Sequence, residues 1–182
     1  MAVYNKYYLK ENYFGKPYPE LMEVFTRFDR NKSVLDFGCG QGRDALAIGK
    51  LGFSVVGVDL SEVGINQMNE VAKANKLDVK GIVGSYTDYL YTNRHDIILM
   101  DSMFHFYKND LKVETQLLTS LLKDVKSEAI IVLIVQYSKP RIKTLHKIIE
   151  MSGVSTRLIE DKIFNYQEFK SEFYMCVLQK YR

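Results

Sequence analysis

Two apolar rhythms alternate along this chain. Short continuous runs at Val34-Leu35, Val55 to Val58, Val79 to Val83, Asp96 to Met100 and Ala129 to Val135 read as strands. The last is unbroken, as expected of a strand buried on both faces. Between the runs, apolar residues return every three or four positions. This predicts helices carrying Ala45, Leu46, Ile48 and Leu51; residues 61–76 with Ser61 as N-cap; Leu111, Leu117, Leu118, Leu121, Leu122 and Val125; and Ile142, Leu145, Ile148 and Ile149. Pro19 suits the first position of an earlier helix running to about Phe28, with Leu21, Phe25 and Phe28 on one face. Arg157 to Asp161 and Phe173 to Gln179 make a final strand pair joined by a polar, aromatic-containing loop. Strands alternating with helices predict an α/β, doubly wound sheet.

The densest signal is residues 33–44, Ser-Val-Leu-Asp-Phe-Gly-Cys-Gly-Gln-Gly-Arg-Asp. A strand breaks into glycines at alternate positions, Gly38, Gly40 and Gly42, and a helix begins at once. Such a junction lets bare backbone approach a nucleotide-like ligand. A dinucleotide fingerprint counted from Gly40 is met only as Gly40, Gly42 and Ala45. Asp36 opposes it, because a carboxylate near a pyrophosphate is like charge in a partly buried site. The arrangement suits a ligand without phosphate and with positive charge, as S-adenosylmethionine has in its sulfonium and ammonium groups.

This stretch resembles the first motif of class I S-adenosylmethionine-dependent methyltransferases, D/E-x-G-x-G-x-G, complete from Asp36 to Gly42. Val55-Val56-Gly57-Val58-Asp59-Leu60-Ser61 follows as a second strand ending in an acid, which in that family holds both ribose hydroxyls. The resemblance implies a Rossmann-like, mostly parallel seven-stranded sheet with helices on both faces and the last strand antiparallel. It also implies cofactor contacts from Asp36, Gly38, Cys39, Gly40, Gly42, Asp59, Leu60 and Asp101. The family's adenine motif departs from its usual form in Gly84-Ser85-Tyr86-Thr87-Asp88-Tyr89-Leu90, with Ser85 where an acid is common. Adenine reading is therefore shared among Ser85, Tyr86 and Asp88 as alternatives.

After the fourth strand comes Asp101-Ser102-Met103-Phe104-His105-Phe106, at the kind of strand end where open α/β sheets bind ligands. Asn/Asp-Pro-Pro-Tyr/Phe, common in relatives acting on exocyclic amines, is matched only at Asp101 and Phe104. His105 matches a histidine common in small-molecule methyltransferases, so Asp101 and His105 are the expected catalytic groups. His95 and His146 are read as structural or exposed. Residues 1–28 hold Tyr4, Tyr7, Tyr8, Tyr13, Phe14, Tyr18, Phe25 and Phe28, either packing for the first helix or a lid over cofactor and acceptor. Tyr13 and Phe14 are the preferred lid contacts. The aromatic start resembles small tellurite-resistance and thiopurine-type methyltransferases.

Composition narrows the rest. At 182 residues and 47% apolar content, one domain with a full core is expected: an aromatic lid and helix over 1–30 and a cofactor-binding domain over 31–182. The seven-residue apolar run cannot span a bilayer, and the start has no signal-peptide character. Cys39 and Cys176 read as reduced thiols of a cytoplasmic protein. A net charge of +3 without a basic block neither argues for nor excludes nucleic acid; with no insertion for a substrate domain and no proline pair after Asp101, a nucleic-acid partner is not expected. No metal site is expected. The expected activity is methyl transfer to a small-molecule thiol, amine or hydroxyl. A non-catalytic cofactor binder and an enzyme acting on RNA or protein are the alternatives, and the oligomeric state is open.

Overall fold

In the computed structural model, residues 3–89 and 92–181 are described, without the side chains of Val3 and Tyr4. Leu90 of the expected adenine motif lies outside the described residues, as do Met1 and Ala2 of the expected lid and the Tyr4 ring. Two compact units divide the chain at residue 90.

In the first unit, β1 (Ser33–Phe37), β2 (Ser54–Asp59) and β3 (Val79–Val83) pair in parallel, with Asp36 opposite Gly57 and Asp59 opposite Val83. This register brings the carboxyl ends of the three strands level. Around them lie α1 (Pro19–Thr26), α2 (Arg43–Lys50) and α3 (Glu62–Ala74). Pro19 opens α1, where its missing N–H costs nothing, and Leu21, Val24 and Phe25 are its buried residues. Ser61 caps α3 by accepting from the Gly64 amide at 3.1 Å. Gly52 follows α2 with a φ of 95°, a helix ending that glycine adopts without strain.

The second unit holds β4 (Ile97–Asp101) and β5 (Ile130–Gln136) in parallel, and β6 (Thr156–Tyr166) and β7 (Ser171–Lys180) as an antiparallel pair, with β7 also antiparallel to β5. Its helices are α4 (Leu111–Asp124) and α5 (Lys139–Met151). Ile131 to Val135 have no exposed surface, as the unbroken apolar run predicts. Strand order across the sheet is β3-β2-β1-β4-β5-β7-β6, the expected seven-stranded arrangement.

Two expectations need revision. The final pair is longer than Arg157 to Asp161 and Phe173 to Gln179, because β6 runs to Tyr166 and only a 3-10 turn, Gln167–Phe169, separates it from β7. The expected loop aromatics are the reason: Phe164 and Tyr166 are buried and meet the Phe173 ring at 6.1 and 5.9 Å. Leu111 is not part of the buried stripe of α4; it stands at the first turn, 38% exposed, while Leu118, Leu121 and Leu122 are buried. Among the described residues, no helix is long and apolar enough to cross a membrane.

Candidate active site

The turn after β1 is built by its own amides. Gly38 and Cys39 donate to the Val58 carbonyl at 2.8 and 3.3 Å, and Gly42 donates to the Cys39 carbonyl at 2.8 Å. Gly40 donates to Asp59 Oδ2 at 3.0 Å, while the Ser61 amide reaches Oδ1 of the same carboxylate at 2.7 Å. Each carboxylate oxygen of Asp59 thus takes one amide and keeps a lone pair for a further donor. Burial pushes the Asp59 carboxyl above its ordinary range, and the Ser61 and Gly40 amides partly pull it back. Asp36 is buried at 2% exposure on β1.

All three turn glycines have positive φ (72°, 53° and 79°), which explains their residue type. A Cβ on Gly40 would land on the Tyr8 hydroxyl, and one on Gly42 on the Met68 side chain. A side chain at Gly40 therefore meets Tyr8, and the Gly42 face is needed for packing against α3. Cys39 contributes backbone alone. Its thiol faces Gly57, and burial, then the charges of Asp36 and Asp59, raise its pKa well above the usual thiol value.

The N-terminal segment is fastened to this turn through Gln41. Its Nε2 donates to the Lys10 carbonyl at 2.9 Å and to Gln67 Oε1 at 2.6 Å, and its Oε1 accepts from the Tyr13 amide at 3.0 Å. Gln67 in turn donates to the Tyr8 carbonyl at 2.9 Å, and the Ser61 hydroxyl donates to Asn5 Oδ1 at 2.6 Å. Tyr8 is buried, while Tyr13 and Phe14 are half-buried. Rings pair within the segment: Tyr7 with Tyr13 at 5.2 Å, Tyr8 with Phe14 at 6.0 Å and Tyr13 with Phe14 at 5.0 Å. Residues 5–14 therefore cover the glycine turn and the start of α3. Sequence reasoning favoured Tyr13 and Phe14 and passed over Tyr8, Gln41 and Gln67. The position of Gln41 inside the motif was the available signal.

At the ends of β2 and β3, Leu60 and Val83 are 62% and 49% exposed, an apolar pair beside Asp59. The Ser85 hydroxyl is engaged locally, accepting from the Thr87 amide at 3.1 Å and pairing with its hydroxyl at 2.7 Å. Tyr86 is half-buried and Asp88 exposed.

The second unit carries the other expected residues. Asp101 ends β4 and accepts from the Ser102 hydroxyl at 2.9 Å. Phe104, which matches the end of the Asn/Asp-Pro-Pro-Tyr/Phe element, is fully buried and stacks on Phe106 at 5.8 Å, so it belongs to the core. His105 is half-buried with its ring stacked on Tyr107 at 5.5 Å. The His105 and Phe106 amides both donate to the Glu114 carboxylate, at 2.9 and 2.5 Å, and Arg141 Nε donates to the His105 carbonyl at 2.9 Å. Nothing local in the sequence pointed to Glu114 or Arg141. His95 is buried, with burial lowering its pKa, and His146 bonds the Tyr174 hydroxyl at 2.9 Å; both have structural settings.

Comparison with known proteins identifies the family and the fold. A family described as a methyltransferase domain matches residues 34–125. The chain is 29% identical over 109 residues to a probable S-adenosyl-L-methionine-dependent methyltransferase, TehB, of Haemophilus influenzae, covering 57% of this chain and 38% of the relative. It is 32% identical over 101 residues to a ribosomal protein L11 methyltransferase of Campylobacter lari, covering 53% and 35%. The chain thus spans well under half the length of these relatives. Among solved structures, a SAM-dependent methyltransferase of Methanosarcina mazei superposes with a TM-score of 0.72 at 14% identity, over 91% of this chain and 99% of the other, which shows a shared fold.

Proposed function

Because the chain belongs to the methyltransferase domain family, we propose that it transfers a methyl group from S-adenosylmethionine to a small-molecule acceptor. One observation carries the cofactor choice. Four amides of the glycine turn are already bonded within the protein, and the Asp59 carboxylate faces the turn. A pyrophosphate would find those donors taken and a negative charge beside them. A ribose diol finds the opposite: two carboxylate oxygens, each with a lone pair to accept a hydroxyl.

The residues fit the cofactor group by group. Asp59 accepts from the ribose hydroxyls. Leu60 and Val83 offer apolar surface to the adenine, whose polar edge is read by Tyr86 or Asp88 more than by Ser85, since that hydroxyl closes its own turn. Asp36 supplies negative charge for a cationic ligand, and Gly38, Cys39, Gly40 and Gly42 supply close backbone. When bound, S-adenosylmethionine supplies an electrophilic methyl on a sulfonium. Residues 5–14 exclude water from the glycine turn. In the second unit, His105 takes the proton from a hydroxyl or protonated amine acceptor. Alignment alone carries up to about 7–11 kcal/mol in well-oriented reactions.

The small-acceptor reading rests on the absence of a basic block and of the proline pair after Asp101. A protein acceptor is the second reading, favoured by the relative named for ribosomal protein L11. Calorimetric titration with S-adenosylmethionine, S-adenosylhomocysteine and NADH tests the cofactor, with binding of the first two expected. Release of S-adenosylhomocysteine across thiols, amines, phenols, small RNAs and ribosomal proteins tests the acceptor. Turnover confined to the macromolecules would reverse the small-acceptor reading.

A further inference from the structure

The loop after β4 is held by two charged side chains from helices that follow it. The Glu114 carboxylate on α4 accepts the His105 amide with Oε1 (2.9 Å) and the Phe106 amide with Oε2 (2.5 Å). Arg141 on α5 donates through Nε to the His105 carbonyl (2.9 Å) and through Nη1 to the Gln136 carbonyl at the end of β5 (2.7 Å). Its guanidinium lies 5.8 Å from the centre of the Tyr107 ring, on which the imidazole stacks. Every backbone polar group of His105 is therefore bonded to a charged side chain.

The loop needs such support. Ser102 and Phe106 have φ values of 55° and 52°, a region that disfavours residues with a Cβ. A carboxylate accepting two consecutive amides, and a guanidinium bridging two carbonyls, are charge-assisted bonds of the stronger kind. They hold the His105 and Phe106 backbone through side chains, whereas Ser102 at the start of the loop donates to the Ile134 carbonyl of β5 at 2.9 Å.

We propose that Glu114 and Arg141 are positioning residues for methyl transfer, presetting the backbone and ring of His105 before an acceptor arrives. This rests on the reading of His105 as proton acceptor. Geometry specifies the residue types. Glutamine at 114 presents an NH2 to one of the two amides, and the single ammonium of lysine at 141 cannot reach both carbonyls in the guanidinium's geometry.

The test uses the full chain with Glu114→Gln and Arg141→Lys. The chain has three histidines, so the imidazole carbon–proton signals of His95, His105 and His146 are resolvable, with His105 assigned by its loss in His105→Ala. Both variants should shift the His105 signal alone and speed hydrogen exchange of the His105 and Phe106 amides by about tenfold or more. His146, on the same helix as Arg141, should stay in place, and affinity for S-adenosylhomocysteine should hold within about twofold of wild type. An unmoved His105 signal with unchanged exchange would overturn the proposal. So would movement of all three histidine signals, or a joint loss of S-adenosylhomocysteine affinity, since each marks a general structural role. Failure of the wild-type chain to bind S-adenosylhomocysteine would instead overturn the methyltransferase reading, while the spectra still decide the clamp.

Discussion

The glycine turn at 38–42 and the loop at 101–106 are both irregular segments after a parallel strand, yet they are stabilised in opposite ways. The turn meets its unusual φ angles with glycine and satisfies its amides on β2 and on itself. The loop places serine and phenylalanine in the same φ region and borrows an acid from α4 and a base from α5. One is specified by residues next to each other in sequence, the other by residues up to 36 positions away. The turn's conformation is thus written in its own glycines, and the loop's in side chains of later helices.

Variants that strike each region sharpen this contrast. Gly40→Val places a branched side chain at positive φ and onto Tyr8, so it should abolish S-adenosylhomocysteine binding at about millimolar ligand and release residues 5–14 to proteolysis. Normal binding by this variant would remove the turn from the ligand's approach. His105→Ala should slow release of S-adenosylhomocysteine with a phenol acceptor by about a hundredfold or more while leaving a thiolate acceptor nearly untouched. Equal losses on both acceptors would assign His105 to positioning alone.

Asp59→Ala should weaken cofactor affinity by about tenfold or more in calorimetry, and exposed Asp88→Ala by less. The pH dependence follows from the raised carboxyl of Asp59. Its folded state holds the proton more tightly than the unfolded chain, so that stabilisation is complete below the unfolded pKa and lost as pH rises through the folded one. Cofactor affinity runs the other way, falling as acid protonates the acceptor carboxylate, and Asp59→Asn should flatten that fall. The smallest effect is expected from Gln41→Ala, which removes the link to Lys10, Tyr13 and Gln67. Turnover should drop about tenfold, with affinity for S-adenosylhomocysteine changed by less, as hydrogen-bond losses at a covering segment predict.

The same contrast explains what the sequence disclosed. β5 was readable because burial on both faces leaves an unbroken apolar run, and the glycine turn because its positive φ angles favour glycine. The longer β6 escaped because its burial falls on aromatic residues, Phe164 and Tyr166, spaced among charges. Glu114 and Arg141 escaped because a helical surface acid or base looks the same whether it faces solvent or a distant peptide.

Cys39 and Cys176 are free and buried, one beneath the glycine turn and one on β7, where burial above all raises the thiol to about 12. Neither is presented to a solvent reagent as a thiolate in the closed fold. Alkylation therefore has to wait for an opening, and the two cysteines time openings in different places. Labelling of Cys39 clocks the excursions of the cofactor turn, labelling of Cys176 those of the central sheet. A ligand bound at the turn should lengthen the first interval more than the second, giving the chain an internal stopwatch that needs no introduced probe.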